Sequence, residues 1–388
     1  MAVTPFAHAR PVPAHSISFA SKHAAPAGAF RTGVSLHSHT LHSIENLSFI
    51  PRVAARIPAL MSAIDRQCDK YRALHGRALD LHNAHWTPPL SAQQAFHLEA
   101  RQIESLGLVP LVSLSDHDNI DAADRLYLVE ETRYAPISVE WTIPFGESFF
   151  HLGVHNLPVS QSHAMMEAMA EYTASSQQAH LGQLLEWISW NESVLVVFNH
   201  PCWDEKGIGA SRHDFLTRRF LDRCGRWVHA IELNGLRPWT ENQRAIALAG
   251  SYNRPVISGG DRHGCEPNAN INLTNASTFS EFAGEVRAEG ISHVHFLPQY
   301  AESLAFRQIQ CIADVIGYQP AHSLGWTRWN DRVFYRTSSG ELQPLSQLWN
   351  RGAPWIVESF VNLIRASQHK HMRSALKLWL APQRGYAG

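Results

Sequence analysis

The stretch Val34-Ser35-Leu36-His37-Ser38-His39-Thr40-Leu41-His42-Ser43-Ile44-Glu45 joins a short apolar run to a group of potential metal ligands. Alternate residues of a β-strand face the same side, so a strand here would direct His37 and His39 into one space. Two imidazoles that share a space suit a divalent metal ion. A pair of surface histidines can have the same spacing, so the interpretation depends on whether the pattern recurs.

The pattern of an apolar run that ends at a histidine or a carboxylate does recur along the chain. Predicted strands cover residues 108–114, 136–139, 149–154, 193–198, 230–235, 255–258 and 291–296. Predicted helices cover residues 92–106, 121–132, 162–191, 214–224 and 240–252. Apolar strands that alternate with helices predict a parallel sheet, and roughly seven such units predict an α/β barrel. Active sites of such barrels lie at the carboxyl ends of the strands, where these polar residues fall.

Composition excludes several classes of protein. The chain has 388 residues, of which 45% are apolar and 17% charged, as in a globular protein. Its net charge of −1 gives no electrostatic basis for bulk binding to nucleic acid or membranes. The five cysteines are widely spaced and contain no Cys-x-x-Cys pair, which disfavours a disulfide framework or a thiolate zinc site. This cysteine usage fits a reducing compartment, and we expect a cytoplasmic protein without a transmembrane run.

Changes in composition predict three regions. Residues 1–33 are rich in Ala, Pro, His and Ser and are expected to be a flexible or loosely docked leader. Residues 34–299 would form the barrel domain, with a helical insert at 49–106. Residues 300–388 would form a mostly helical cap that also contains a hairpin at 326–345. The basic helix predicted at 353–380 is interpreted as a solvated face.

Six motifs occur in a fixed order between residues 34 and 263. They are Leu36-His37-Ser38-His39-Thr40, Ser115-Asp116-His117-Asp118, Val139-Glu140, His151-Leu152-Gly153, Asn199-His200-Pro201 and Gly259-Gly260-Asp261-Arg262-His263. Together they resemble the PHP family, named for polymerase and histidinol phosphatase. The resemblance implies a distorted (β/α)7 barrel with a site for two or three divalent metal ions.

The resemblance also implies three sets of metal ligands. The first set is His37, His39, Glu140 and Asp261. Glu140 would bridge to a second ion, whose other ligands are His151 and His200. The third set is His117 and His263 with one further residue. The family's common Ser-Asp-Gly is absent here, so this last ligand is Glu45, which has the better spacing, or its rival His42.

This ligand chemistry points to hydrolysis. Imidazole and carboxylate ligands without a thiolate suit Zn, Mn or Fe. Two bridged ions activate a shared water and clamp the oxygens of a phosphoryl displacement. We therefore expect a phosphoesterase that uses a metal-bound hydroxide on a small phosphomonoester or nucleotide. A C–N or lactone hydrolase and a non-catalytic metal-binding scaffold are the alternatives, and family analogy leaves an exonuclease open.

Five residues, two of them also candidate ligands, have candidate roles in catalysis or substrate binding. Asp116 would orient an imidazole from outside the ligand set. Asp261 or His263 could move a proton as well as bind metal. Arg262 could bind a substrate phosphate, or it could pair with an acid behind the site. Asn234 could bind the substrate or the backbone of a loop.

Overall fold

The computed structural model describes residues 15–20, 29–47, 58–76, 84–317, 326–337, 339–350 and 352–380. Most of the predicted leader, parts of the predicted helical insert, and Ser338 of the predicted hairpin lie outside these residues. No helix within the described ranges has the length and apolar character required to cross a bilayer.

The strands of the described residues are short and run through the whole chain. They are β1 His15–Phe19, β2 Thr32–Ser35, β3 Glu45–Asn46, β4 His85–Trp86, β5 Val109–Val112, β6 Val139–Phe145, β7 Ser148–His155, β8 Leu195–Asn199, β9 Ala230–Asn234, β10 Val256–Gly259, β11 Asn270–Thr274, β12 Ser292–Phe296, β13 Val333–Arg336 and β14 Leu342–Pro344.

Helices connect most of these strands. They are α1 Pro58–His75, α2 Ala92–Ser105, α3 Asp121–Tyr127, α4 Ser162–Ala174, α5 Gln178–Ser189, α6 Ala210–Cys224, α7 Trp239–Ser251, α8 Phe279–Glu289, α9 Leu304–Gly317, α10 Leu345–Leu348, α11 Trp355–Ser367 and α12 Lys370–Trp379. The single basic helix expected at 353–380 is therefore two helices.

The strands form two five-stranded sheets and one smaller sheet. Their orders are β1-β12-β11-β2-β5, β10-β9-β8-β7-β6 and β14-β13-β4-β3. Both large sheets are mixed rather than parallel, because β7 is antiparallel to β6 and β8, and β11 is antiparallel to β2 and β12. Only Gly146 and Glu147 separate the paired residues Phe145 and Ser148, and so short a loop permits only antiparallel pairing.

Within the described residues the ladders leave two open sheets, and no closed barrel is formed. Two isolated parallel bridges nevertheless link the sheets, one between Ser38 and Arg262 and the other between His117 and Glu140. The sheets also share a core, in which Val34 of β2 and Ile257 of β10 belong to one buried cluster with Phe282 of α8. The bridges and the cluster bring the ends of strands from both sheets to one place.

Several elements differ from the sequence expectations. The strand expected at 136–139 instead begins at Val139, so Glu140 lies at the start of β6. Strand β11 and helix α8 were not predicted. Strand β1 falls in the expected leader, yet it pairs in parallel with β12 along its full length. The predicted C-terminal hairpin is present as β13 and β14, which are antiparallel.

Candidate metal centre

The structure brings all nine predicted ligand side chains into one connected cluster. The cluster comprises His37, His39, Glu45, His117, Glu140, His151, His200, Asp261 and His263, joined by imidazole–carboxylate distances of 2.8 to 3.7 Å. Most of these residues follow the ends of strands β2, β5, β8 and β10, whereas His151 lies within β7. Every member is buried or nearly so.

Glu140 lies at the centre, and its two carboxylate oxygens face different histidines. Oε2 is 2.8 Å from His37 Nε2 and 3.3 Å from both His39 Nε2 and His117 Nε2. Oε1 is 3.1 Å from His200 Nε2 and 3.6 Å from His151 Nδ1. A carboxylate with nitrogen donors on both oxygens has the arrangement required to bridge two cations.

A first group of donor atoms surrounds Glu140 Oε2. Asp261 Oδ1 lies 3.7 Å from His37 Nε2 and 3.6 Å from His39 Nε2. The Nε2 atom of His39 is buried and, across the described ranges of the chain, has no hydrogen-bond partner. An unpaired buried nitrogen costs free energy, and a divalent ion at this point would satisfy it. The residues present therefore fit a metal ion.

Another group of donor atoms lies around Glu45. Its Oε2 is 3.1 Å from His263 Nε2 and 3.5 Å from His117 Nε2, and its Oε1 is 3.5 Å from His39 Nδ1. These four residues could hold one ion. The rival His42 lies apart, with its Nδ1 3.9 Å from Asp121.

Glu45 is positioned by the smallest sheet. It belongs to β3 and pairs with Trp86 of β4, and β4 in turn pairs with β13 from the C-terminal region. Residues from the predicted insert and the predicted cap thus form one sheet that carries a cluster carboxylate.

Glu232 supports the cluster from outside, and the sequence reasoning missed it. Its Oε1 lies 2.5 Å from His37 Nδ1, and its Oε2 accepts hydrogen bonds from His200 N and from Asn234 Nδ2. A Cβ atom on Gly259 would lie 1.6 Å from Glu232 Oε1, so only glycine permits this approach. The available signal was a glutamate inside an otherwise apolar strand.

Burial and neighbouring charges both shift the pKa values of side chains in the cluster. Burial raises the pKa of Glu140, but His37 and His117 outweigh this effect and hold the pKa well below its usual value. Burial lowers the pKa of His117, yet Glu140 and Glu45 raise it to about 9. Burial and His263 lower the pKa of His39 to about 4. The ionised carboxylates suit a cation, whereas a protonated His117 would have to release its proton on binding a metal ion, because only a neutral imidazole is a ligand.

Asp116 is bonded to the loop that follows His39. Both of its carboxylate oxygens accept hydrogen bonds from Thr40, at 2.5 Å from the backbone N and 2.6 Å from Oγ1. These bonds hold Thr40, the residue next to His39, in place. Burial raises the pKa of this carboxyl to about 7.

Arg262 is bonded within the protein. Its Nε donates to Glu99 Oε1 at 2.8 Å, and its two terminal nitrogens donate to the carbonyl oxygens of Gly264 and His39. Both charged side chains are buried. This arrangement favours the pairing with an acid behind the site over contact with a substrate phosphate.

Arg237 and Glu205 lie beside the cluster and were not singled out from the sequence. The guanidinium of Arg237 is 3.4 Å from Asp261 Oδ2 and stacks over the Trp203 ring at 3.9 Å. Glu205 Oε2 is 3.8 Å from His151 Nδ1. Neither residue belongs to a motif, so the sequence contained no spacing signal for them.

Asn234 and the second His-x-His pair have structural contacts. The Nδ2 of Asn234 donates to Glu232 and to Asp261 Oδ2, so it positions these two carboxylates. His293 and His295 of β12 bond to Ser16 and Ser18 of β1.

Neither a protein-family model nor a curated protein sequence matches this chain. Among solved structures it is similar to PsfC from Pseudomonas syringae, at 12% identity and a TM-score of 0.38 over 70% of this chain and 93% of that one. It is also similar to a protein from Bifidobacterium adolescentis, provisionally assigned as a metal-dependent phosphoesterase, at 16% identity and a TM-score of 0.35 over 51% and 92% of the two chains.

A third similar structure is an amidohydrolase from Chromobacterium violaceum with bound sulfate and no metal, at 14% identity and a TM-score of 0.32 over 45% of this chain and 83% of that one. Likenesses this distant assign no activity, so the functional conclusion rests on the geometry of the cluster.

Proposed function

We propose that this chain is a metal-dependent hydrolase that cleaves a small phosphate ester. The observation that carries the proposal is Glu140, a fully buried carboxylate with histidine nitrogens close to both of its oxygens. Divalent ions bound there would activate water and neutralise charge on phosphate oxygens. The imidazole and carboxylate donors suit Zn, Mn or Fe.

We assign the ligands in three groups around this carboxylate. His37, His39, Glu140 and Asp261 form the first group, and Glu140, His151 and His200 form the second. Glu45, His117 and His263 form the third, which His39 also approaches. Glu45 replaces the acidic or histidine ligand that the PHP resemblance implies after His-x-His.

The remaining polar residues hold this arrangement and receive the substrate. His263 Nδ1 donates to the main-chain oxygen of Asp261 at 2.8 Å, which leaves Nε2 directed to Glu45. This favours a ligand role for His263 over proton transfer. Arg237, next to Asp261, has the charge and the position to pair with a phosphate oxygen of the substrate.

The contacts between the two large sheets support a barrel of the PHP type as the more specific description of the fold. The bridges at Ser38 and at His117 connect the two sheets beside the cluster, and a shared apolar core lies between them. Continuous hydrogen bonding between the edge strands of the two large sheets would complete such a barrel.

Replacement of His200 by alanine tests the function. We expect the zinc- or manganese-loaded wild-type chain to hydrolyse small phosphomonoesters and to leave amide and lactone substrates intact. His200→Ala should lower kcat/KM at least about 100-fold, because it removes a donor next to Glu140 Oε1. The matched control is His97→Ala, since His97 is exposed on α2.

The metal content and the hydrolysis rates of the two variants, compared with those of the wild type, decide whether the proposal holds. The proposal fails if the metal-loaded wild type cleaves no ester on a broad panel, or if His200→Ala and His97→Ala have equal rates. Cleavage of amides or lactones without cleavage of phosphates would support the C–N or lactone hydrolase instead.

A further inference from the structure

A cavity of about 140 Å³ lies between the metal cluster and the C-terminal helices. Asp261 and His263 line it on the side of the cluster, and Arg307, Gln310 and Asp314 of α9 line it on the other. The cavity therefore connects the site of the proposed chemistry to a part of the chain outside the six motifs.

Arg307 is a cavity cation whose hydrogen bond goes to a carbonyl oxygen instead of an acid. One terminal nitrogen donates to the carbonyl oxygen of Gly235, while Nε and the other terminal nitrogen are buried and have no hydrogen-bond partner among the residues that the structure describes. Its guanidinium lies 5.1 Å from the ring of Tyr300. Burial lowers the pKa of this guanidinium to about 10. Unpaired charged donors are costly, and an anion would supply the missing acceptors.

The acids around the cavity, by contrast, have partners. Glu302 pairs with Lys377, and Glu266 pairs with Arg373 at 3.3 Å. Asp314 accepts from Cys265 N at 2.8 Å and from Gln310 Nε2 at 2.9 Å. Within the described part of the chain, these bonds leave the guanidinium of Arg307 as the positively charged group of the cavity that has no acid within bonding distance.

The volume of the cavity limits the size of the group that it can bind. At about 30 Å³ per water, 140 Å³ holds roughly four or five waters, which suits a carboxylate or phosphate group with a short carbon chain. A nucleoside requires a pocket of several hundred Å³.

We propose that this cavity binds a second anionic group of the substrate, a carboxylate or a phosphate, and that Arg307 recognises it. The inference rests on the proposed phosphoesterase function, since the first phosphate of the same molecule would occupy the metal centre. The substrate class is then a small phosphate ester with an oxyanion at its other end.

Kinetics with matched substrates test the inference on the metal-loaded full chain. The substrates are n-alkyl phosphates, ω-carboxyalkyl phosphates and alkanediol bisphosphates with two to five carbons. We expect kcat/KM for one of the doubly anionic series to exceed that of the alkyl series at least about tenfold at one chain length. The series with the higher kcat/KM shows whether the cavity binds a carboxylate or a phosphate.

Variants of Arg307 then locate the recognition. Arg307→Gln should remove this preference and leave hydrolysis of alkyl phosphates within about threefold of wild type, whereas Arg307→Lys, which retains the charge, should keep part of it. Arg212→Gln, on the surface and paired with Glu147, should behave as wild type. Equal rates on charged and uncharged substrates at every length, or a preference that survives Arg307→Gln, would overturn the inference.

A selenate soak separates this inference from the proposed function. Anomalous maps at the selenium edge should show selenate at Arg307 in the wild type and not in Arg307→Gln. Selenate at the metal centre alone would overturn the anion subsite and leave the phosphoesterase proposal standing. Selenate at Arg307, in a protein that cleaves no phosphate ester, would support the anion site and refute the proposed reaction.

Discussion

At the scale of single residues, the backbone around the cluster is unusual at three positions. His37, His200 and Asp261 have φ values of 62°, 25° and 55°, in the left-handed region that residues with a Cβ rarely adopt. Such conformations cost about 1–3 kcal/mol each and persist where their surroundings impose them. All three residues contribute side chains to the cluster. The strained backbone positions therefore coincide with proposed metal ligands.

Glu232→Gln tests the support of His37. The Glu232 carboxylate lies 2.5 Å from His37 Nδ1 and fixes the ring with Nε2 toward Glu140. Loss of its charge should weaken divalent metal binding about 10–100-fold, because such outer contacts set the orientation and basicity of an imidazole ligand. Competition with a chromophoric chelator measures the affinity.

The control for this variant is Glu167→Gln, since Glu167 is exposed on α4. If Glu232→Gln and Glu167→Gln both bind zinc as tightly as the wild type, Glu232 does not support the centre.

The sequence predicted which residues meet, but not how the backbone presents them. We expected His37 and His39 to share one face of a strand, yet β2 ends at Ser35 and the turn at His37 redirects the chain. Residue spacing contains no signal for a left-handed histidine. Likewise, Arg237 and Glu205 reach the cluster from loops, where no periodicity predicts contact.

At the scale of elements, local signals gave the more accurate predictions. Helix α2 begins after Ser91, whose side chain accepts from Gln94 N while the Gln94 side chain accepts from Ser91 N, as expected for an N-cap. Strand β6 depends on pairing with β7 and lies mostly beyond the predicted 136–139. Its pairing is set by contacts between strands, which a pattern along one strand does not contain.

Glu99→Gln tests how α2 is joined to the metal centre. Glu99 is buried and accepts hydrogen bonds from Arg262, Ser35, Ser38 and the backbone of Asn268. Removing its charge leaves Arg262 buried without its counter-ion, so we expect a loss of about 3–5 kcal/mol in the free energy of unfolding. Urea denaturation measures this loss.

The matched control is Glu147→Gln, which removes one partner of the exposed pair with Arg212. Surface pairs contribute little, so its denaturation midpoint should stay close to that of the wild type. A Glu99→Gln midpoint equal to that of this control would contradict the tethering role of Glu99.

At the scale of the whole molecule, regions expected to be separate are joined. The strands β3 and β4 lie in or next to the predicted insert and pair with each other, and β4 also pairs with β13 of the predicted cap. The small sheet positions Glu45, and α9 lines the cavity next to Asp261. The motifs predicted the cluster because its ligands follow strands, whereas these contacts between distant segments have no sequence pattern.

Buried neutral histidines should make the metal-free protein sensitive to acid. Nδ1 of His229 accepts a hydrogen bond from Val196 N at 2.9 Å, and burial with Arg287 and Arg254 lowers its pKa to about 3. The unfolded chain takes up the proton near pH 6.5. The stability that this neutral histidine contributes is therefore complete above about pH 6.5 and falls as the pH decreases toward about 3.

Urea denaturation between pH 7 and pH 4 checks this expectation. His229→Asn should weaken the pH dependence of the unfolding free energy by up to about 1.4 kcal/mol per pH unit, because one titrating group is removed. His163→Asn, a change at an exposed histidine, should leave the slope of the wild type. Parallel curves for His229→Asn and wild type would show that His229 is not held neutral.

The most direct test of the metal centre is an anomalous difference map from a crystal grown with excess zinc or manganese. We expect at least two peaks about 3.5–4 Å apart, one on each oxygen of Glu140, with His37 and His39 beside one and His151 and His200 beside the other. A map without peaks at Glu140, or a single ion bound by other residues, would contradict a bridged metal centre in this protein.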